Sequence, residues 1–352
     1  MYIVVAIVAF GILIAVHELG HFSAAKLLGV KVNEFAIGMG PKLIKKQGKE
    51  TLYSLRVLPL GGFCALEGEN GDSEDSRSFT SQRRWKRIVI LAAGGVANMV
   101  VGFIIVVILV STMKSFGGTT LVELAEGFPN EGVDGLMAGD TIISINGERL
   151  YYMDDFSMFM QIYKSGQVDL VIRRDGNTLR LNQFPMERRE YMTNGEMRLR
   201  FGLSFNTIEG NAWEKLKYSG YSAMNYVRLV RVSLAQLISG AVGVREMSGP
   251  VGIIDAMNDV GQSSSTFFEA IANIAHFTAI IGINMAVMNL LPIPALDGGR
   301  IVFMLITWVI EKVIRRRVDP KYEGYIHTAA LALLMGLMVF ILVNDVVKII
   351  NG

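Results

Sequence analysis

The chain has 352 residues, of which 51% are hydrophobic and 19% are charged, and its mean hydropathy is +0.39. This composition is too apolar for an average soluble protein, in which about 25% of residues are charged. The formal net charge of +2 gives no bulk attraction to nucleic acid, so no nucleic-acid partner is expected. The single cysteine, Cys64, excludes an internal disulfide.

Four apolar runs are long enough to cross about 30 Å of hydrocarbon, which takes about 20 helical residues. They cover residues 1–28, 88–113, 270–296 and 328–344. The first run lacks the basic start and the small-residue cleavage site of a signal peptide, so we expect it to remain as an anchor. These runs predict a polytopic α-helical membrane protein with four transmembrane helices.

Lysine and arginine placement predicts the orientation. They cluster in residues 25–87 and 300–325, close to the apolar runs, and such basic loops face the cytoplasm. The long segment 114–266 is then outside, together with both chain ends. Long translocated segments largely escape the charge rule, so the basic residues of this segment do not contradict the prediction.

Residues 31–67 combine β-forming residues with glycine and proline, which indicates strands and turns. Leu58, Leu60 and Phe63 make this cytoplasmic segment unusually apolar. We therefore expect a β-loop that associates with the membrane, where irregular backbone must pack on protein or line a cavity.

Residues 117–185 have the pattern of a small extracytoplasmic α+β domain. A helix-like stretch near 132–137 precedes an alternating strand and an Asn-Gly hairpin turn. A helix near 154–163 and two strands around a second turn follow, and residues 186–206 read as a strand-rich tail. Residues 212–239 have apolar residues at helical spacing together with Arg228 and Arg231, which favours an interfacial helix over a fifth span.

Two histidines and a glutamate occur as HELGH, from His17 to His21, inside the first apolar run. Residues at i and i+4 share one helix face, so both imidazoles can hold one metal ion, with zinc the default. Glu18 would then be the general base toward a water that the metal acidifies. A chance pair of helix histidines is the alternative, which we disfavour because polar residues in apolar spans are rare without a partner. His17 lies about 24 Å along the helix, near the predicted cytoplasmic face.

Two histidines leave a ligand missing, and the sequence NLLPIPALDGGR supplies a candidate. Pro292 and Pro294 must interrupt the third run, and Asp297 follows at the same predicted depth as the histidines. A plain turn at Asp-Gly-Gly is the alternative. His276 and His327 are rival ligands, but the predicted topology puts them near the outer half of the third run and at the start of the fourth.

The second run contains AAGGVANMVVG, whose small residues permit close helix contact. We favour simple helix packing here over a direct role for Asn98.

Three features of the chain closely resemble the site-2 proteases, which are zinc intramembrane proteases. They are HELGH in the first run, NLLPIPALDGG in a later run, and between them the pattern of residues 117–185, which is similar to a PDZ domain. The chain is similar to their bacterial RseP-type branch over almost its full length, including GMGP (38–41), LPLGGF (58–63) and SGPVGI (248–253). Two features depart from the family. The second run has GGVAN where Gly-Pro often precedes the asparagine, and one PDZ-like pattern is found where some relatives have two.

The resemblance implies one Zn²⁺ per chain. It also implies that asparagines bind the substrate. We expect the loop 51–63 to offer a strand edge to unwound substrate. It implies four regions: a protease core (1–112), a PDZ-like domain with a strand-rich tail (113–206), an amphipathic linker (207–266) and a second core part (267–352). The candidate residues are the zinc ligands His17, His21 and Asp297, the catalytic base Glu18, and the substrate-binding residues Asn284, Asn289, Leu58, Gly61 and Gly62.

The implied activity is endoproteolysis of the transmembrane segments of single-pass membrane proteins, such as anti-sigma factors or remnant signal peptides, in the bacterial inner membrane. The expected partners are these substrates, the lipid bilayer and an upstream site-1-type protease that makes the first cut. The resemblance implies that the PDZ-like domain filters substrates by size, with a conventional groove for chain termini as the alternative.

Two other classes of protein remain as alternatives. A non-catalytic membrane scaffold displaying a PDZ-like domain has no need for HELGH and Asp297 together. A metal transporter needs ligands spread along a path through the membrane, whereas the candidates here cluster at one face.

Overall fold

The computed structural model describes residues 2–69, 73–163, 166–193, 196–240, 243, 249–316 and 321–351. They fall into two compact units, one formed by Met1–Val106 with Tyr226–Gly352 and the other by Val107–Asn225. The helices are α1 (Tyr2–Leu27), α2 (Arg84–Ser111), α3 (Met153–Ile162), α4 (Ala212–Ile238), α5 (Pro250–Gln262), α6 (Phe267–Leu290), α7 (Asp297–Ile314) and α8 (Lys321–Asn351). The strands are β1 (Val32–Gln47), β2 (Leu52–Leu66), β3 (Ser115–Leu124), β4 (Thr141–Ile145), β5 (Glu148–Arg149), β6 (Gln167–Arg174), β7 (Asn177–Pro185), β8 (Arg189–Thr193), β9 (Glu196–Arg200) and β10 (Leu203–Glu209).

Among the described residues, four helical segments are long and apolar enough to cross a membrane. They are α1, α2, α6 and the part of α8 from Gly324 to Asp345. The predicted number of spans is therefore confirmed by length and composition. The 27-residue helix α4, which carries Arg228 and Arg231, is not among these segments.

The third span ends earlier than the apolar run that predicts it. Helix α6 stops at Leu290, and Leu291 is already extended, because Pro292 and Pro294 cannot continue a helix and restrict the residues before them. After this break the chain becomes helical again as α7, which the sequence pattern did not predict.

Close helix contacts hold the first unit together, and glycine makes them possible. A methyl group on Gly20 of α1 would lie 2.3 Å from the carbonyl oxygen of Ala93 of α2. On another face of α2, a methyl group on Gly95 would lie 3.2 Å from the carbonyl oxygen of Ala286 of α6. Helix α2 thus packs against both α1 and α6, with its backbone close to each of them.

Strands β1 and β2 form a bent antiparallel hairpin that doubles back on itself. Phe35 of β1 lies opposite both Cys64 and Tyr53 of β2, so the early part of β1 has one part of β2 on each side. The final part of β2, residues 62–66, is therefore an edge of this small sheet. The predicted strands and turns of the β-loop segment are confirmed.

The second unit is built on an antiparallel sheet with the strand order β10-β3-β4-β6-β7, in which β5 pairs with β4. Asn146 and Gly147 both have positive φ, as do Asp175 and Gly176, which is typical of the tight hairpin turns predicted from these Asn-Gly and Asp-Gly pairs. Helix α3, which was predicted near 154–163, packs with buried Phe156 and Phe159.

The prediction of a helix-like stretch near 132–137 is wrong. These residues form turns with an isolated bridge between Glu131 and Leu136. Arg174 donates to the carbonyls of Val133 and Gly135 and pairs with buried Asp140. Those contacts satisfy the loop carbonyls without helical hydrogen bonds.

Candidate metal centre

Helix α1 brings the two predicted histidine ligands together. Their spacing of four residues places them on one helix face, and their Nε2 atoms lie 3.2 Å apart with the rings edge to face. His17 is buried and His21 is nearly so.

Asp297 completes this pair from the far end of the sequence. It is the first residue of α7, and its Oδ2 lies 3.3 Å from Nε2 of His17 and 3.3 Å from Nε2 of His21. Among the described residues these three side chains are the group of histidine, cysteine and carboxylate ligands that could hold a metal ion.

The three ligand atoms form a nearly equilateral triangle whose dimensions fit zinc. In a tetrahedral site with ligand distances of about 2.0–2.1 Å, neighbouring ligand atoms lie about 3.3–3.4 Å apart. The observed edges of 3.2–3.3 Å match this spacing. Two imidazoles and one carboxylate also leave the fourth position open, as in catalytic zinc sites.

Helix α2 positions the histidines in two ways. Nδ1 of His21 lies 2.8 Å from the carbonyl oxygen of Ile90, so Nδ1 carries the proton that it donates and Nε2 is free for a metal. Gly94 leaves room for both rings, because a methyl group there would lie 2.4 Å from Nε2 of His21 and 2.7 Å from Cε1 of His17. Neither contribution was predicted from the sequence, since neither a backbone carbonyl nor a packing glycine carries a ligand signature.

The turn before Asp297 depends on glycine packing. A methyl group on Gly298 would lie 2.3 Å from the carbonyl oxygen of Leu290, and one on Gly299 would lie 2.1 Å from that of Ile293. The two glycines therefore let the start of α7 pack directly against the end of α6. Ala295 has a positive φ of 75°, and its N–H donates to Nδ1 of His327 at 3.0 Å.

The two rival histidine ligands have other contacts. Nε2 of His276 lies 2.5 Å from the Tyr226 hydroxyl, and His327 supports the turn at Ala295. Neither joins the ligand triangle among the described residues.

A cavity of about 420 Å³ opens beside the triangle, and its lining includes the three ligands, Glu18, residues 63–66 of β2, and Glu69. Glu18 faces the backbone N–H of Cys64. The edge of the small β sheet therefore lies against the candidate base. Arg300 of α7 pairs with Glu69 and so ties the start of α7 to the chain that follows β2.

Cys64 also lines this cavity, but among the described residues its thiol is not in the group that could hold a metal ion. Burial, together with the carboxylates of Glu18 and Glu69, raises the pKa of the Cys64 thiol to about 12. The thiol is therefore a weak nucleophile at neutral pH, because the thiolate is the reactive form.

The turn between β1 and β2 is attached to the end of α1 by charge. Glu50 lies 2.8 Å from Nζ of Lys26 and 2.7 Å from a guanidinium nitrogen of Arg77. Hydrogen bonds from Lys26 and Arg77 lower the pKa of Glu50 to about 2. This ion pair network fixes the hairpin relative to the helix that carries the histidines.

The predicted substrate-binding residues lie in two places. Gly62 is at the sheet edge, where a methyl group would lie 3.3 Å from Cγ of Glu18, while Gly61 has a φ of 96° and packs against Met39. Leu58, in the same strand, is 55% exposed. Asn284 and Asn289 are half-buried on α6. Of these predicted residues, Gly62 is the one whose described contacts include the candidate base.

Comparisons with known proteins agree with this geometry. A sequence profile of Peptidase family M50 matches residues 5–337. A candidate zinc metalloprotease of Clostridium acetobutylicum is 36% identical over 350 residues, covering 99% of this chain and 98% of that protein. A similar protein of Clostridium perfringens is 34% identical over 349 residues, covering 99% of each chain.

A third relative has a more specific name. The regulator of sigma-W protease RasP of Bacillus subtilis is 26% identical over 428 residues, covering 99% of this chain and 98% of RasP. The family match spans nearly the whole chain, the family is zinc-dependent, and four apolar helices accompany the ligand triangle. This chain therefore belongs to Peptidase family M50, the site-2 protease family, and is a membrane zinc metalloprotease.

Proposed function

We propose that this chain cleaves the transmembrane segments of single-pass membrane proteins, in the inner membrane of a bacterium, after another protease has made a first cut. The observation that carries the proposal is the triangle of His17, His21 and Asp297, with edges of 3.2–3.3 Å. Both histidines lie on α1, a helix apolar enough to span a membrane, and Asp297 follows the end of a second such helix, α6. The name of the RasP relative supports anti-sigma factors as one substrate class, and remnant signal peptides are a second.

We assign the three triangle residues as ligands of one Zn²⁺ per chain. When bound, Zn²⁺ polarises a peptide carbonyl and lowers the pKa of a water molecule. Glu18 follows His17 on α1 and lines the same cavity, so its carboxylate is placed to take a proton from the attacking water and pass it to the leaving amine. His21, fixed by the Ile90 carbonyl, keeps its ring oriented throughout.

The edge of the small β sheet is the proposed docking site for substrate backbone. A membrane helix hides its carbonyls in internal hydrogen bonds, so cleavage requires local unwinding. The N–H of Cys64 points away from its partner strand toward Glu18, and strand alternation then turns that of Gly62 the same way. An unwound substrate can pair with this edge next to the base.

The other assignments follow from the sequence. Asn284 and Asn289 would hold substrate backbone through their amides, and Leu58 and Gly61 would complete the β-loop contact. The active site would lie near the cytoplasmic face, with both termini and a single PDZ-like domain at 113–206 outside. That domain would admit substrates already shortened, and the linker region 207–266 would connect it to the second core segment.

The competing function is a non-catalytic scaffold, and reconstituted protein separates the two. The purified chain in lipid vesicles, with a single-span substrate whose outer domain has been removed, is expected to cut within the span. Removing zinc with a chelator should stop cleavage and adding zinc should restore it. One zinc per chain that is lost in His21→Ala supports the protease. A chain that binds no zinc and cuts no substrate supports the scaffold.

A further inference from the structure

Asn98 of α2 is completely buried, at 0% exposure, inside the first unit. Neither its amide oxygen nor its amide nitrogen has a hydrogen-bond partner among the described residues. Proteins rarely leave both ends of a buried amide unpaired, because the lost hydrogen bonds to water are not replaced. Simple helix packing, which the sequence favoured, does not explain why an asparagine occupies this position.

His17 also has a buried polar atom without a hydrogen-bond partner among the described residues. Its Nε2 faces the other two ligand atoms, so the neutral ring carries its proton on Nδ1. That atom is buried and has no partner among the described residues. His21 differs, because its Nδ1 has the Ile90 carbonyl. Ligand histidines almost always give this second N–H to an acceptor that orients the ring.

Asn98 and His17 lie at neighbouring levels along α2 and α1. Gly20 contacts Ala93, and the two histidines contact Gly94. Farther along α2, the Asn98 carbonyl and, from α1, Leu13 both flank Gly282 of α6. Rising numbers on α2 therefore match falling numbers on α1, which makes the helices antiparallel.

Helix geometry then brings the two side chains toward each other. Asn98 is one turn beyond Gly94, and helical side chains lean toward the N-terminus of their own helix. The Asn98 amide therefore leans back toward the level of Gly94, where the His17 ring lies, while His17 leans toward Leu13. Helix geometry therefore directs both groups toward the space between the two helices.

We propose that Asn98 is a positioning residue of the metal centre, whose amide oxygen receives the Nδ1–H of His17 through one buried water. A water needs at least two polar partners in a buried site, and these two groups provide an N–H donor, a carbonyl acceptor and an amide donor. The inference rests on the proposed role of His17 as a zinc ligand. Helix α2 then orients both imidazoles: the Ile90 carbonyl orients His21, and Asn98 orients His17.

The test measures metal affinity in the full chain in detergent. Asn98→Leu keeps the branched shape but removes both polar atoms, and it should weaken Zn²⁺ binding about 10- to 100-fold in competition with a chelator. Asn98→Asp keeps an acceptor and should stay within about threefold of wild type. Thr278→Val is the matched control, because the buried Thr278 hydroxyl already bonds the Ile274 carbonyl inside α6. The visible spectrum of bound Co²⁺ should change in Asn98→Leu and not in the control.

Wild-type zinc affinity in Asn98→Leu, or an equal loss in Asn98→Leu and Asn98→Asp, would overturn the proposal. Because a variant could fail to fold, the wild-type chain supplies a second measurement. Solid-state NMR of the zinc-loaded chain with ¹⁵N-labelled histidine should show magnetisation transfer from water protons to Nδ1 of His17, and its absence would refute the bridge. If the wild-type chain holds zinc and His17→Ala does not, a failure here leaves the proposed function standing.

Discussion

Asp297 Oδ2 lies 3.3 Å from Nε2 of His17, although Asp297 begins α7 and His17 lies in the second half of α1. This contact joins the first apolar span to the turn after the third. The ligand triangle therefore exists only when the two sequence segments of the first unit are folded against each other.

Asp297→Asn should weaken zinc binding more than about 100-fold, since even a group that only orients a ligand contributes about 10- to 100-fold. The amide keeps the shape but loses the negative charge that faces both imidazoles. Chelator competition on the purified chain measures the change. Affinity equal to wild type would show that the carboxylate is not a ligand.

Glu18→Gln should reduce the cleavage rate by about 10²- to 10⁴-fold, because the amide cannot accept the proton. Zinc content should stay unchanged, since Glu18 is outside the ligand triangle. Both quantities are measured on the same purified sample with a single-span substrate. Full cleavage by a zinc-loaded variant would remove Glu18 from the mechanism.

Gly94→Ala should lower zinc affinity at least about tenfold. The added methyl would lie 2.4 Å from Nε2 of His21, so the rings must move, and metal sites tolerate only about 0.5 Å of displacement. Gly336→Ala is the control, because a methyl there meets nothing within 4 Å on α8. Equal zinc affinity in the two variants would contradict the packing argument.

Gly62→Ala should slow cleavage by up to about 100-fold, as expected for a small misplacement of the reacting groups. The methyl would lie 2.9 Å from the Ala36 carbonyl oxygen and 3.3 Å from Cγ of Glu18, which forces the sheet edge away from the base. Zinc affinity should not change. A normal cleavage rate would mean that substrate docks elsewhere.

Asp345→Leu should destabilise the chain by about 2 kcal/mol or more, because hydrogen bonds to charged groups contribute about 1.5–3 kcal/mol each. This buried carboxylate of α8 accepts from the N–H groups of Gly249 and Gly252, both at 2.9 Å, at the start of α5. Thermal unfolding in detergent measures the loss. Asp345→Asn, which keeps one acceptor, should lose less, and equal melting of all three chains would contradict the role.

The sequence predicted the features of this protein that depend on residues close to one another in the chain. Apolar runs of the required length predicted the four spans, and the four-residue spacing of His17 and His21 predicted their shared helix face. Pro292 and Pro294 predicted the interruption of the third apolar run, although the run itself extends to residue 296 and α6 ends at Leu290. These features depend on residues close in sequence, so one sequence suffices to predict them.

The rest needed the tertiary structure. Nothing in the sequence measures the distance from Asp297 to His17, because that distance depends on how α2 and α6 pack between them. The same holds for the Ile90 carbonyl, for the space at Gly94 and for the sheet edge beside Glu18. The sequence alone determined which residues could bind a metal, whereas packing between distant segments decided which atoms meet, since ligand geometry is set by contacts that no local pattern encodes.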